Sequence, residues 1–112
     1  MKKFSLPSLR SKSQVFCNYI FNRKSYTFNF TWCGEFCLLD IYLAQEYGNK
    51  YIIKGFPIVT GIDLIARVKN PQLISGKLFI QNKYNKNLEP DLNNFNTDFE
   101  LIYYEKGEYS EQ

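Results

Sequence analysis

Ser25-Tyr26-Thr27-Phe28-Asn29-Phe30-Thr31-Trp32 sets the architecture. Rings fall at every second position and small polar side chains fill the rest, a period of two. A strand built this way has one apolar face and one wet face. On a helix the same rings would be smeared around the whole circumference. No other segment offers as much apolar bulk, so Tyr26, Phe28, Phe30 and Trp32 are assigned to a core.

The same periodicity extends outward in both directions. Gln14 to Phe21 alternates, with Val15, Cys17, Tyr19 and Phe21 on one side, and Asn22-Arg23-Lys24 is short enough for a hairpin loop, though it lacks the usual glycine. Cys33-Gly34 turns the chain into a strand from Glu35 to Tyr42, with Cys37, Leu39, Ile41 and Leu43 on one face. Gly48-Asn49 marks the next turn, and Tyr51-Ile52-Ile53-Lys54 returns from it. Gly55-Phe56-Pro57 is expected to break the pairing before Ile58-Val59. Gly61 to Ile65 fits either a helical turn or a corner between layers, and Ala66-Arg67-Val68 reads as extended. Pro71 and Gly76 bracket a loop before a strand at Lys77–Gln81.

Residues 82–96 hold six Asn and Pro90 and read as a long exposed loop. Thr97 to Glu105 closes the domain, with Phe99, Leu101 and Tyr103 inward and Asp98 and Glu100 outward. Turn signals at about ten-residue spacing mark a meander, sandwich or small barrel. The expected fold is all-β: a small antiparallel barrel or sandwich of about six to eight strands with an extended N-terminal arm. Residues 1–13 form that basic arm, 14–105 a single β domain and 106–112 an acidic tail. Leu39, Ile41, Phe99, Leu101 and Tyr103 join the four rings in the expected core.

Composition supports strands and narrows the chemistry. The 112 residues fit one domain, and aromatics make up 18% of them, with ten Phe and nine Tyr against one Met. Rings pack well on a pleated surface, whereas long flexible side chains suit helices. The chain has no His, the commonest general acid–base and neutral metal ligand. Cys17, Cys33 and Cys37 are an odd set without a signal peptide, expected as free thiols in a reducing compartment. No window reaches the roughly 18 apolar residues of a membrane span. Asn29-Phe30-Thr31 matches a glycosylation sequon, but no secretion signal accompanies it.

Each chemical motif has a plainer reading beside it. The ladder from Tyr26 to Trp32, with Arg23 and Lys24 nearby, has the ingredients of a stacking platform for single-stranded nucleic acid. A sheet in a domain this small must give one face to the core, however, and the opposite face here is Ser, Thr and Asn. Zinc needs four ligands in pairs, and Cys33 and Cys37 have one further cysteine and no His to complete a set; no metal or other cofactor is expected. A cysteine nucleophile lacks its usual base. Asp40 and Asp63 form a glycosidase-like pair only if they share a pocket; the plainer role for such acids is accepting backbone hydrogen bonds. No phosphate-cradling glycine loop is present. The chain is therefore expected to be no enzyme.

Net charge is +3, and its distribution is uneven. Lys2, Lys3, Arg10, Lys12, Arg23 and Lys24 precede the first acid, Glu35. From Asp98 onward five acids stand against Lys106 alone. Such a division is ordinary solubility charge or a means of steering contacts with partners. The arm is the natural segment to order on a partner, and its Lys2, Lys3, Arg10 and Lys12 are the candidate contact residues.

The order of landmarks carries a family resemblance. It runs Leu6-Pro7, Gln14-Val15-Phe16, a hairpin to Tyr26, Trp32, Phe36-x-x-Leu39-Asp40-Ile41 and Gly55. Then come Val59-x-Gly61-x-Asp63-Leu64, Gly76-Lys77-Leu78-Phe79 and Phe99-x-Leu101-x-Tyr103-x-Glu105. Over about residues 5–105 this resembles the baseplate plug proteins of contractile-tailed bacteriophages. Cys37 stands where those proteins tend to carry a second Trp, Asn22-Arg23-Lys24 replaces a glycine-containing turn, and residues 82–96 are richer in Asn. The resemblance implies a structural virion protein of the tail baseplate, made in the bacterial host cytoplasm. Its implied partners are hub, tube or spike subunits, with several copies in a symmetric ring, and neither a small-molecule substrate nor a membrane. The alternative is a small β-barrel that binds single-stranded nucleic acid.

Overall fold

The structure, a computed structural model, describes residues 1–9, 14–43, 51–67, 74–86, 88–105 and 107. Its strands are β1 (Lys2–Phe4), β2 (Gln14–Phe21), β3 (Lys24–Trp32), β4 (Cys37–Leu43), β5 (Tyr51–Pro57), β6 (Lys77–Asn82) and β7 (Phe99–Tyr104). A 3₁₀ turn, Leu64–Arg67, lies between β5 and β6. All strand pairs are antiparallel, in one sheet ordered β2-β3-β4-β5 and another ordered β1-β7-β6. The two sheets do not close into a barrel; the fold is sandwich-like. The shortest dimension, 20 Å, fits two layers at about 10 Å each.

The rings of β3 fill the space between the layers. Tyr26, Phe28 and Phe30 are buried, together with Leu39 and Ile41 from β4 and Phe99, Leu101 and Tyr103 from β7. Trp32, at the end of the ladder, is partly buried and packs against this cluster. Phe21 of one sheet stacks on Tyr103 of the other, with centroids 4.7 Å apart and planes at 24°. Offset-stacked and edge-to-face rings gain about 0.5–1.5 kcal/mol beyond their buried area, so such pairs fasten the layers together.

β3 is covered on its second face as well. Thr27 and Asn29 project away from the core and are nevertheless 9% and 4% exposed. Thr27 donates to Asn18 Oδ1 (2.8 Å), and Asn29 Nδ2 donates to Asp40 Oδ2 (3.1 Å). Position in the middle of the sheet, not composition, buries these polar groups.

Several local expectations need correction. The N-terminal arm is extended as expected, and its described part is anchored on the sandwich. Lys2–Phe4 pairs with Tyr103–Leu101, Phe4 meets the edge of Phe21 at 5.2 Å, and Leu6 and Leu9 are buried. Of the expected hairpin loop, Lys24 already pairs with Phe21, leaving two turn residues, Asn22 at φ 50° and Arg23 at φ 68°. Two successive positive φ values define a type I′ turn, whose twist matches that of the strands it joins. The pairing does end before Ile58-Val59, as expected, but only after Gly55, Phe56 and Pro57 have been taken into the strand. β5 continues to Pro57, with a register irregularity opposite Leu39–Tyr42, because Gly55 at φ 63° absorbs the bulge.

Ala66 and Arg67 are not extended: they complete a 3₁₀ turn, Leu64–Arg67, the helical alternative offered for Leu64 and Ile65, which starts where Asp63 Oδ1 accepts from Ile65 N (3.0 Å). The 82–96 loop is not wholly exposed: Phe95 is buried and meets Phe30 at 5.1 Å. Calls at Gly48-Asn49, Val68, Pro71 and most of the acidic tail lie outside the described residues.

Candidate functional site

The sandwich divides the chain's chemical groups between structural duty and surface. Asp40 and Asp63 belong to the first class. Asp40 Oδ1 accepts from Gly55 N (2.7 Å), which ties the bulge of β5 to β4. Asp63 Oδ1 accepts from Leu78 N (2.9 Å) as well as from Ile65 N, and its Oδ2 lies 3.9 Å from Lys77 Nζ. One carboxylate serves the four-stranded sheet and the other the loop against β6. Each accepts backbone donors, the plainer of the two roles expected for it.

The thiols divide by depth. Cys33 is exposed, Cys17 partly buried and Cys37 buried. Burial pushes the Cys37 thiol up to about 12, assisted by nearby Cys33 and opposed by a backbone hydrogen bond at Thr31. A thiol held neutral in this way is a packing group, not a nucleophile. Burial likewise raises Tyr19, Tyr26 and Tyr103 above their ordinary range. Two of these hydroxyls donate to carbonyls, Tyr19 to Ser5 (2.7 Å) and Tyr103 to Ser75 (2.8 Å). Among the described residues no group of His, Cys, Asp or Glu is arranged to hold a metal ion.

What remains for function is surface. Lys2 and Lys3 are exposed on β1, where Lys3 Nζ lies 3.6 Å from Glu100 Oε2. Arg10 and Lys12 lie outside the described residues. At one end of the sandwich an open cleft of about 340 Å³ is lined by Phe36, Cys37, Pro57, Ile58, Val59 and Pro90, with Glu35 and Glu89 at its sides. Cys33 N donates to Phe36 O (2.9 Å) and Ile58 N to Cys37 O (2.9 Å), fixing two walls. Glu89 fixes the third by accepting from Thr60 N (2.8 Å) and Thr60 Oγ1 (2.9 Å). A third surface is the outer face of β2, where Phe16 and Ile20 are 46% and 63% exposed.

The family model for the cyanophage baseplate Pam3 plug gp18 matches residues 1–106. The chain belongs to this phage baseplate plug family. The match spans every strand of both sheets, so the plug family's pattern describes the whole sandwich rather than a fragment of it. A comparison with curated proteins finds no match.

Two of the surfaces, the cleft and the outer face of β2, were not anticipated from the sequence. Phe16 and Ile20 were legible, because any strand that puts Val15, Cys17, Tyr19 and Phe21 inside must put them outside. The cleft had no such signal, since its walls come from three separate loops.

Proposed function

We propose that this chain is a structural component of a phage tail baseplate, a plug that binds neighbouring hub, tube or spike subunits and catalyses no reaction. The observation that carries the reading is the family match across residues 1–106. The chemistry of the molecule supports it: both candidate acids accept backbone donors, the deepest thiol is held neutral, and apolar side chains stand exposed in two places. The nucleic-acid alternative required rings open to stacked bases, and Tyr26, Phe28 and Phe30 are inside the sandwich.

The test is location and necessity in the virion. Mass spectrometry of purified tails is expected to find the chain at a fixed stoichiometry to hub and tube subunits. Deleting its gene is expected to stop tails from maturing. Normal infectious particles without the protein would overturn the reading.

A further inference from the structure

At one end of the sandwich three separate segments present apolar side chains around the cleft. The turn from β3 to β4 carries Phe36, the chain after β5 carries Val59 and Ile62, and the loop after β6 carries Leu88. Their exposures are 43%, 41%, 42% and 52%. Exposed apolar groups gathered in one place and rimmed by polar ones mark contact sites for other macromolecules.

The three segments are tied to one another. Ile58 N donates to Cys37 O (2.9 Å), which joins the first to the second. Thr60 N donates to Glu89 Oε1 (2.8 Å), and Thr60 Oγ1 lies 3.0 Å from Leu88 O, which joins the second to the third. Pro57 and Pro90 fix φ on two of the walls. A cleft held in this way loses little conformational entropy when it is filled. At about 340 Å³ it is at the small end of binding pockets, room for one bulky side chain with its adjoining backbone.

The charges of the cleft have one sign. Glu35 and Glu89 stand at its sides, and its lining holds no cationic side chain. Glu35 is exposed and makes no hydrogen bond or ion pair among the described residues. Glu89 commits Oε1 to Thr60 and leaves Oε2 without a donor among the described residues. An acidic occupant would be repelled, and a purely apolar one would desolvate both carboxylates without pairing them.

We propose that the cleft receives an extended segment of a partner protein in which one bulky apolar side chain is flanked by arginine or lysine. The apolar side chain fills the space between Phe36 and Val59, and the flanking cations pair with Glu35 and Glu89. The proposal concerns the chemistry of the segment and not the subunit that bears it; it goes beyond the plug reading and stands without it.

NMR titration of the isotope-labelled full chain with three blocked pentapeptides tests this. The first has leucine between two arginines and alanine at each end. It is expected to move the amide signals of Phe36, Val59 and Glu89 in a saturable manner at millimolar concentration. Replacing both arginines with glutamate is expected to weaken binding roughly tenfold or more, and replacing leucine with serine about tenfold. Glu35→Gln alters an exposed side chain and is expected to keep the melting temperature while weakening the first peptide about twofold to fivefold. Cleft signals that move with none of the peptides, or equally with the arginine and glutamate forms, overturn the proposal. So does binding of the first peptide that leaves Phe36 and Val59 unmoved, or that Glu35→Gln does not weaken.

Discussion

β2 and β3 are neighbours in one sheet, joined by a two-residue turn, and both alternate bulky apolar residues with polar ones. Their fates differ because of where they lie. β3 has a strand on each side and a sheet beneath it, so Tyr26 through Phe30 are buried without interruption, polar residues included. β2 has one neighbour among the described residues, and its outer face holds exposed Phe16 and Ile20. The same sequence period thus buries both faces in the middle of a sheet and leaves one face exposed at its rim.

The comparison breaks most visibly if the interior ladder is cut. Phe28 is fully buried, so Phe28→Ala is expected to cost about 3–5 kcal/mol in urea unfolding. The polar face of β3 comes next. Asp40→Ala removes the acceptor for both Gly55 N and Asn29 Nδ2. Asn29 Oδ1 is already buried with no partner among the described residues, so a second orphan on that side chain is expected to bring the loss to about 2 kcal/mol.

Alkaline pH reaches the same interior by titration. Tyr19, Tyr26 and Tyr103 are raised by burial, and Cys37 from 9.0 to about 12. Each binds its proton more tightly folded than unfolded. Their stabilisation is therefore complete below the unfolded values and is lost as pH climbs toward the folded ones. Thermal unfolding is expected to show stability falling from near pH 9 and more steeply above 10, by on the order of 1 kcal/mol per pH unit for each such group. Stability that is flat to pH 11 would place these groups at the surface.

The turn between the two strands offers a smaller effect of opposite sign. Arg23 sits at φ 68°, a conformation that glycine adopts without the steric cost a side chain incurs. Arg23→Gly is expected to stabilise by about 0.5 kcal/mol after the added unfolded-state entropy. Smallest of all, Ile20→Ser on the exposed face of β2 is expected to change monomer stability by less than about 0.5 kcal/mol.

How far these features were legible depended on how local their causes are. The β3 ladder was plain, since alternation is a property of neighbouring residues. The burial of Thr27 and Asn29 was not, because it follows from β3 lying second in its sheet. β1 was hidden for a related reason: a three-residue strand has no periodicity to read, and Lys2–Phe4 is extended only because β7 receives it. The 82–96 loop misled through its composition. Asp91 Oδ1 accepts from Asn93 N (2.8 Å) and Asn94 N (3.0 Å), while Asn94 Oδ1 accepts from Asp91 N (2.7 Å). Polar side chains here satisfy the backbone locally, which lets the loop lower Phe95 into the core. The exposure of Lys2 and Lys3 was expected from their charge, whereas the cleft beside Phe36 and Val59 required three loops to be brought together.

Residue-resolved hydrogen exchange of the dilute chain puts the difference between the two strands to the most direct test. The amides that β3 donates into its ladders are expected to exchange only with global unfolding, while Asn18 and Ile20, which face away from β3 where no further strand lies among the described residues, exchange orders of magnitude faster. Equal protection of β3 and of Asn18 and Ile20, or a β3 that exchanges as readily as the surface loops, would contradict the account.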